Sequence, residues 1–353
     1  MKKCILCVVV VVAVIGCNRS SHGDSFSVSK VKTFPVNDSL RLRSFGLADE
    51  LERPTRIYCY DTILALRDSQ SEFFVHLVST KQKKIIKQII KKGQGPNELI
   101  GAWHLTSMDG KGNFYVHDVV ANYLMRVNMA SVLSSDSSSF LKFNFRDELG
   151  LADCSEILND SVFVASGRFD DCRLVKFNNN GVVLDKLGGS PNIDKRRKGF
   201  DHLLSESYQG ILKRKPDGSK YALACKYTDQ IEIFDSNSSS LERVILGPVF
   251  IKPTYKVIKN SMAMDRGKSI EGYSTIAVTN DYIIGLFSGI LLSEFSAGDN
   301  TLLLVFDWDG NPVARYLLDQ KCISIDIDPE RDILYALSLN PQPEIFHCTL
   351  KLP

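Results

Sequence analysis

His117 and Asp118 stand together at the end of a strand-like run. Polar or charged residues expected on the same face follow the later runs: Arg168 and Asp170, Lys226 and Tyr227, Ser288, and Asn340. Tyr255 and Arg266 fall in a long connection between two of the runs. An imidazole beside a carboxylate has the make-up of a general base with its orienting partner. Both residues also have a plainer use, the histidine satisfied by its neighbours and the aspartate capping a turn through an Asx bond. The plainer use is the favoured reading. Arg168, Lys226 and Arg266 would make a cationic mouth for acidic glycans or carboxylates, although exposed basic side chains are more often simply solvated. Asp118, Asp170 and Asn340 offer hard oxygen ligands, too few for a cation site of that kind. The chain has six histidines and neither a Gly-x-Ser-x-Gly nor a His-Glu-x-x-His segment. No catalytic residue, metal ligand set or cofactor is therefore assigned.

The elements that must position these residues form a repeat. Runs starting at Ile63, Phe114, Val162, Tyr221, Tyr282 and Leu334 are spaced by 51, 48, 59, 61 and 52 residues. A second run follows each after 10, 9, 11, 9, 19 and 10 residues. Strand pairs recurring about every fifty residues, none able to bury both faces alone, predict an all-β six-bladed propeller. The fifth unit carries an insertion between its two runs, where extra length costs little. Turn-forming residues, such as Asp109 to Asn113, Asn159-Asp160 and Pro216-Asp217-Gly218, precede the first runs and mark tight turns between the first and second strands of each blade. The last blade runs out after three strands. The alternating segment Ser27 to Phe34 is expected to supply its outer strand and so close the ring. Lys81 to Lys92 has helical spacing of isoleucines, but the repeat places a lysine-guarded edge strand there. The long segments 188–208, 247–272 and 288–300 all project to one face, which makes that face and the channel mouth the expected binding surface. The KRRK run at 195–198 reads as solvated loop.

The first seventeen residues, MKKCILCVVVVVAVIGC, combine a basic start, a short apolar run and small residues before Cys17. This is the pattern of a bacterial lipoprotein signal, too short for a spanning helix, with Cys17 as the lipid attachment site. The expected organisation is a signal peptide at 1–16, a tether at 17–26 and the propeller at 27–353. The place is the bacterial cell envelope, with the outer membrane preferred. Removing the first 16 of 353 residues takes two of the 43 basic residues, leaving 41 against 41 acidic ones, so no nucleic-acid partner is expected. Of the remaining cysteines, Cys59, Cys154, Cys172, Cys225, Cys322 and Cys348 show no metal spacing and read as buried thiols, with Cys322 and Cys348 the preferred pair if one bridge forms.

Gly93-Gln94-Gly95-Pro96-Asn97-Glu98-Leu99 stands just before the second blade. It resembles the Gly-x-Gly-Pro-x-Glu-Phe segment of the TolB-like six-bladed propeller lipoproteins of Bacteroides and its relatives, with leucine replacing the aromatic. The run DGKGNFYVHDVVANYLMRVN at 109–128 is similar to the blade core of that family and of NHL-type repeats. The resemblance implies the fold and an envelope location and transfers no catalytic residues. Physically, Gly93, Gly95 and Pro96 permit and then fix a sharp turn at a blade junction, with Glu98 placed to accept from backbone amides. No Lys-Ser/Thr follows, so a phosphate-cradling role is not favoured. The expected function is non-catalytic, lipid-anchored binding or scaffolding of an envelope protein or a glycan. The alternative is a hydrolase or lyase acting on a sugar or lactone through a channel metal.

Overall fold

The computed structural model describes residues 26–134, 140–145, 149, 151–169, 171–188, 202–258, 261–296 and 299–353. Cys17, the signal, most of the tether, Asp170 and the centre of the 188–208 segment with its KRRK run lie outside the described residues. Three short strands come first: β1 (Ser27–Lys30), β2 (Val36–Leu40) and β3 (Arg43–Ser44). The first blade follows as β4 (Pro54–Tyr60), β5 (Ile63–Asp68), β6 (Phe73–Ser79) and β7 (Lys84–Lys92), with β8 (Glu98–Leu99) parallel to β7. The second is β9 (Ala102–Leu105), β10 (Asn113–Asp118), β11 (Tyr123–Asn128) and β12 (Leu141–Asn144), with helix α1 (Met129–Ser134) in its last connection. The third is β13 (Leu151–Asn159), β14 (Val162–Arg168), β15 (Leu174–Asn178) and β16 (Val183–Leu187). Helix α2 (His202–Ser207) leads to the fourth, β17 (Gly210–Arg214), β18 (Lys220–Cys225), β19 (Gln230–Asp235) and β20 (Leu241–Leu246). After a separate hairpin, β21 (Tyr255–Ile258) and β22 (Ser261–Met264), come β23 (Tyr273–Val278), β24 (Tyr282–Phe287), β25 (Asn300–Asp307) and β26 (Pro312–Cys322). The sixth blade is β27 (Ser324–Asp328), β28 (Ile333–Ser338) and β29 (Glu344–Thr349).

The chain is thus a six-bladed all-β propeller, and each predicted first run starts within one residue of a blade's second strand. Local chemistry explains the register. Asp109 accepts from Lys111 N, Asn113 N and Asn113 Nδ2 at 2.8–2.9 Å, closing the turn that delivers β10. The lysine-rich stretch is the outer strand β7, an open edge except at Lys91 and Lys92 where β8 pairs with it; Ile89 and Ile90 bury against the first and second blades while the lysines flank them. Between blades, apolar faces interlock as in any propeller, and the inner strands add polar stitches. Ile57 N donates to Ser324 Oγ at 3.1 Å, Ile325 N to Thr275 Oγ1 at 3.0 Å, and Leu105 N to the Tyr58 hydroxyl at 3.1 Å. Each bond ties one inner strand to its neighbour in the ring, so the channel wall is held by paired rather than orphaned backbone groups.

The closure differs from expectation in one respect. The N-terminal segment does supply the outer strand of the last blade, but through β3, which pairs with β29 at Phe346 and His347. Ser27–Lys30 instead runs parallel to β20 as a fifth strand of the fourth blade, and β2 does the same against β26 of the fifth. The reason is non-local. Val31 and Phe34 bury in the apolar cluster between blades four and five, where Phe34 meets Phe306 edge-on at 5.5 Å. Gly247, at φ +143°, makes room for this strap, since a Cβ there would lie 1.9 Å from Val31 O. Alternation identifies a strand; it does not say which open edge receives it.

Candidate functional site

The first residues of the inner strands line the loop-rich end of the channel. Arg56, Trp103, His104, Asp153, Tyr273 and Ser274 surround a cavity of about 530 Å³ there. Arg53 joins them from just before β4, and Arg67 and Lys226 reach in from the ends of second strands. Glu271 borders it from the fourth junction, and Phe295 and Asn300 arrive from the fifth-blade insertion. Below, the passage past Tyr58, Lys213 and Ile325 narrows to about 10 Å³, room for a single water. Lys213 plugs it: its ammonium sits 3.4 Å from Asp326 Oδ2 and 5.0 Å from the Tyr58 ring centroid. Burial works against the Lys213 charge, but Asp326 and Glu156 outweigh it and hold the ammonium above its ordinary pKa.

The mouth is cationic, with acids set into its wall. Arg56 donates from Nη1 to Ser274 O at 2.9 Å and Ile323 O at 3.5 Å, so blade one's arginine is anchored across the channel on blades five and six. Arg67 donates Nε to Ala102 O at 2.7 Å and Nη1 to Thr55 Oγ1, and its guanidinium lies 5.0 Å from the Trp103 ring centroid. Trp103 is 52% exposed. Lys226 packs its ammonium 5.2 Å from the Tyr227 ring. Burial pushes the Asp153 carboxyl up to about 6, against the pull of Arg168. It raises Glu271 as well, despite Lys226, Arg56 and Arg266. His104 is held well below the usual histidine range by burial and by Lys213 and Arg56, so its ring is neutral at neutral pH.

The residues singled out from sequence are dispersed. Lys226 lines the cavity, whereas exposed Arg168 is not part of its lining and bears on it only through its charge acting on Asp153. His117 and Asp118 are fully buried. His117 shares a hydrogen bond with Ser155 Oγ at 3.2 Å, and burial lowers its pKa to about 4. Asp118 accepts from the amides of Ile100, Gly101, Val120 and Ala121, which is a turn-holding role. Asp68 repeats this device in the first blade by accepting from Arg53 N at 2.9 Å. Tyr227 is half-buried under Lys226, Tyr255 heads the β21 hairpin half-buried, and Asn340 is exposed with its amide on Ser338 Oγ. Ser288 is buried with its amide on Gly272 O at 3.1 Å, and Arg266 donates to Leu292 O within the insertion.

At the Gly93 junction, Gly95 N donates to Glu98 Oε2 at 2.9 Å, Gly95 O accepts from Lys142 Nζ at 2.8 Å, and Pro96 is an exposed turn residue. The six described cysteines are free thiols, with Cys322 and Cys348 together in one apolar cluster. Among the described residues no three His, Cys, Asp or Glu side chains gather as a metal ligand set. Sequence reasoning missed Arg53, Arg56, Arg67, Trp103, His104, Asp153 and Glu271. It looked at second-strand ends, whereas the mouth is formed by first-strand starts. The usable signal was the residue pair opening each inner strand, such as Thr55-Arg56, Trp103-His104 and Asp153-Cys154.

A family model described as TolB-like 6-blade propeller-like matches residues 32–330. The chain belongs to this family. Among solved structures, this TolB-like propeller is similar to a candidate exported protein of Bacteroides fragilis, at 10% identity and a TM-score of 0.56, with 91% of this chain and 98% of that one covered. It also aligns with the β-propeller domain of Myceliophteria thermophila Cps50 (Swd1), at 11% identity, a TM-score of 0.48 and coverage of 85% and 96%. At 10% identity the likeness to the Bacteroides fragilis protein speaks for the fold alone. No curated protein matches the chain.

Proposed function

We propose that this TolB-like propeller is a lipid-anchored envelope protein that binds, without transforming, an anionic ligand in its channel mouth. The observation that carries the reading is the cavity itself. Its roughly 530 Å³ falls in the range of small-ligand sites, about 300–1,000 Å³, and its concavity suits a glycan or carboxylate better than a protein face. Arg53, Arg56 and Lys226 supply the attraction. The channel narrows below and Lys213 is neutralised there by Asp326, so the ligand enters and leaves by one end.

Anchoring at Cys17 accords with this arrangement, and the Bacteroides fragilis neighbour is itself named as an exported candidate. The strap begins at Ser27 beside Arg243, toward the face carrying the Asp235 to Ser240 turn, opposite the cavity. A tether of about ten residues spans at most ~36 Å, so the lipid would hold the turn-rich face near the bilayer and present the mouth outward.

The test is titration of the full-length protein in detergent with a set of carboxylated ligands and neutral counterparts, repeated with Arg56→Gln and Lys226→Gln. Charge-assisted bonds contribute about 1.5–3 kcal/mol each, so either variant should weaken binding tenfold or more. Binding indifferent to both substitutions would refute the site, and a ligand recovered as product would refute the non-catalytic reading.

A further inference from the structure

The cavity wall also restricts the class of ligand, an inference that rests on reading the mouth as an anion site. We propose that it takes a sugar acid, with the sugar ring on Trp103 and the carboxylate on Arg56. A wall made for phosphate or a compact polycarboxylate would present donors, because such ligands carry only acceptors. This wall mixes donors with acceptors. Asp153 and Glu271 face the cavity among the cations. His104 Nε2 and Asn300 Oδ1, on residues 3% and 1% exposed that line the same space, have no hydrogen-bond partner within the protein. Both atoms lie behind the cavity surface, so the acceptors the wall offers a ligand are the carboxyls of Asp153 and Glu271. A polyhydroxylated ligand has the donors for the Asp153 and Glu271 carboxyls, whereas a simple anion without hydroxyls would be repelled by them.

The carboxylate and the ring find separate partners. Arg56 commits only Nη1 to backbone carbonyls, so among the described residues its other donors remain for a fork on a carboxylate. Trp103 offers a half-exposed indole at the rim, oriented by Arg67, and the negative face of an aromatic ring suits the C–H face of a pyranose. Tyr273 and Phe295 extend the apolar side of the cavity.

The test uses intrinsic fluorescence of the full-length protein in detergent. Trp103 is one of two tryptophans, and the other, Trp308, is buried with its Nε1 on Thr279 O. Ligands would be the trisaccharides of galacturonate, glucuronate and mannuronate, their neutral counterparts, and citrate. At least one uronate should bind ten times tighter or more than its neutral form and quench the emission. Trp103→Ala, checked for an unchanged melting profile, should lose tenfold in affinity by calorimetry, and Arg56→Gln should lose the preference for the acid. Citrate binding as tightly as any uronate and unmoved by Trp103→Ala would overturn the sugar-acid assignment while leaving an anion site. Failure of every acid to bind would remove both readings.

Discussion

Arg173 and Glu232 form a buried ion pair between blades three and four, and its removal gives the sharpest stability prediction. Arg173 Nε lies 3.1 Å from Glu232 Oε2, with the side chains 2% and 1% exposed. Arg173 Nη2 also donates to Tyr208 O at 2.5 Å, and Gln230 Nε2 donates to Glu232 Oε1 at 2.6 Å. At an effective dielectric of about 20, two charges at this separation attract by about 5 kcal/mol. Desolvation offsets most of that in the intact pair, so the pair itself adds little net stability. Arg173→Leu exposes the imbalance: Glu232 keeps its burial cost and loses its partner, for a loss of about 3–5 kcal/mol. Arg173→Leu with Glu232→Leu removes both charges, and the remaining cost should fall to about 1–2 kcal/mol for the lost hydrogen bonds of the pair, chiefly that of the Gln230 amide. Urea unfolding of the four proteins of the cycle measures this directly. The reasoning is refuted by a single variant costing under about 1 kcal/mol, or by a double variant no more stable than the single.

Asp153 has a carboxyl raised by burial, facing Arg168 and Glu206. A raised acid penalises the folded state once pH exceeds its unfolded pKa, and the penalty is complete above about 6. Asp153→Asn should therefore stabilise the protein by about 2–3 kcal/mol at pH 7.5 and by nothing below pH 3.5, a difference that unfolding curves at the two pH values would detect. Gly93 has φ +156°, and a Cβ there would lie 2.0 Å from Glu98 Oε2. Gly93→Ala should cost about 1–3 kcal/mol, and adding Glu98→Ala should cost almost nothing further because the bond to Gly95 N is already broken; thermal melts of both variants decide. Burial pushes the thiols of Cys154, Cys172 and Cys322 up to about 12. An aromatic disulfide reagent at pH 8 should leave them unlabelled until denaturant is added, and labelling within minutes would show that the blade concerned opens.

The blade count and the register were legible because they depend on local chemistry. Asp109, Gly112 and Asn113 close a turn with their own backbone wherever the blade sits, and Phe114 to Val116 follow as a strand. Lys84–Lys92 could be assigned to an edge once the repeat demanded a fourth strand. The site was less legible. His117 lies within the second strand of its blade and Lys226 just past the end of the equivalent strand, and one is buried against Ser155 and Phe145 while the other lines the mouth. Two places along a strand and the packing of the neighbouring blade together make that difference.

The sequence by itself determined the six strand pairs, the tight turns before them, the insertion in the fifth unit and the pairing of the N-terminal segment with the rim. Hydrophobic alternation and turn residues act within about ten residues, so they can be read along the chain. Tertiary structure alone decided that Ser27–Lys30 joins the fourth blade while Arg43–Ser44 closes the sixth. It alone brought Arg56, Trp103, His104, Asp153 and Glu271, more than two hundred residues apart at their extremes, around one cavity. Ring closure makes those neighbours, and closure depends on how six sheets pack, which no single segment encodes.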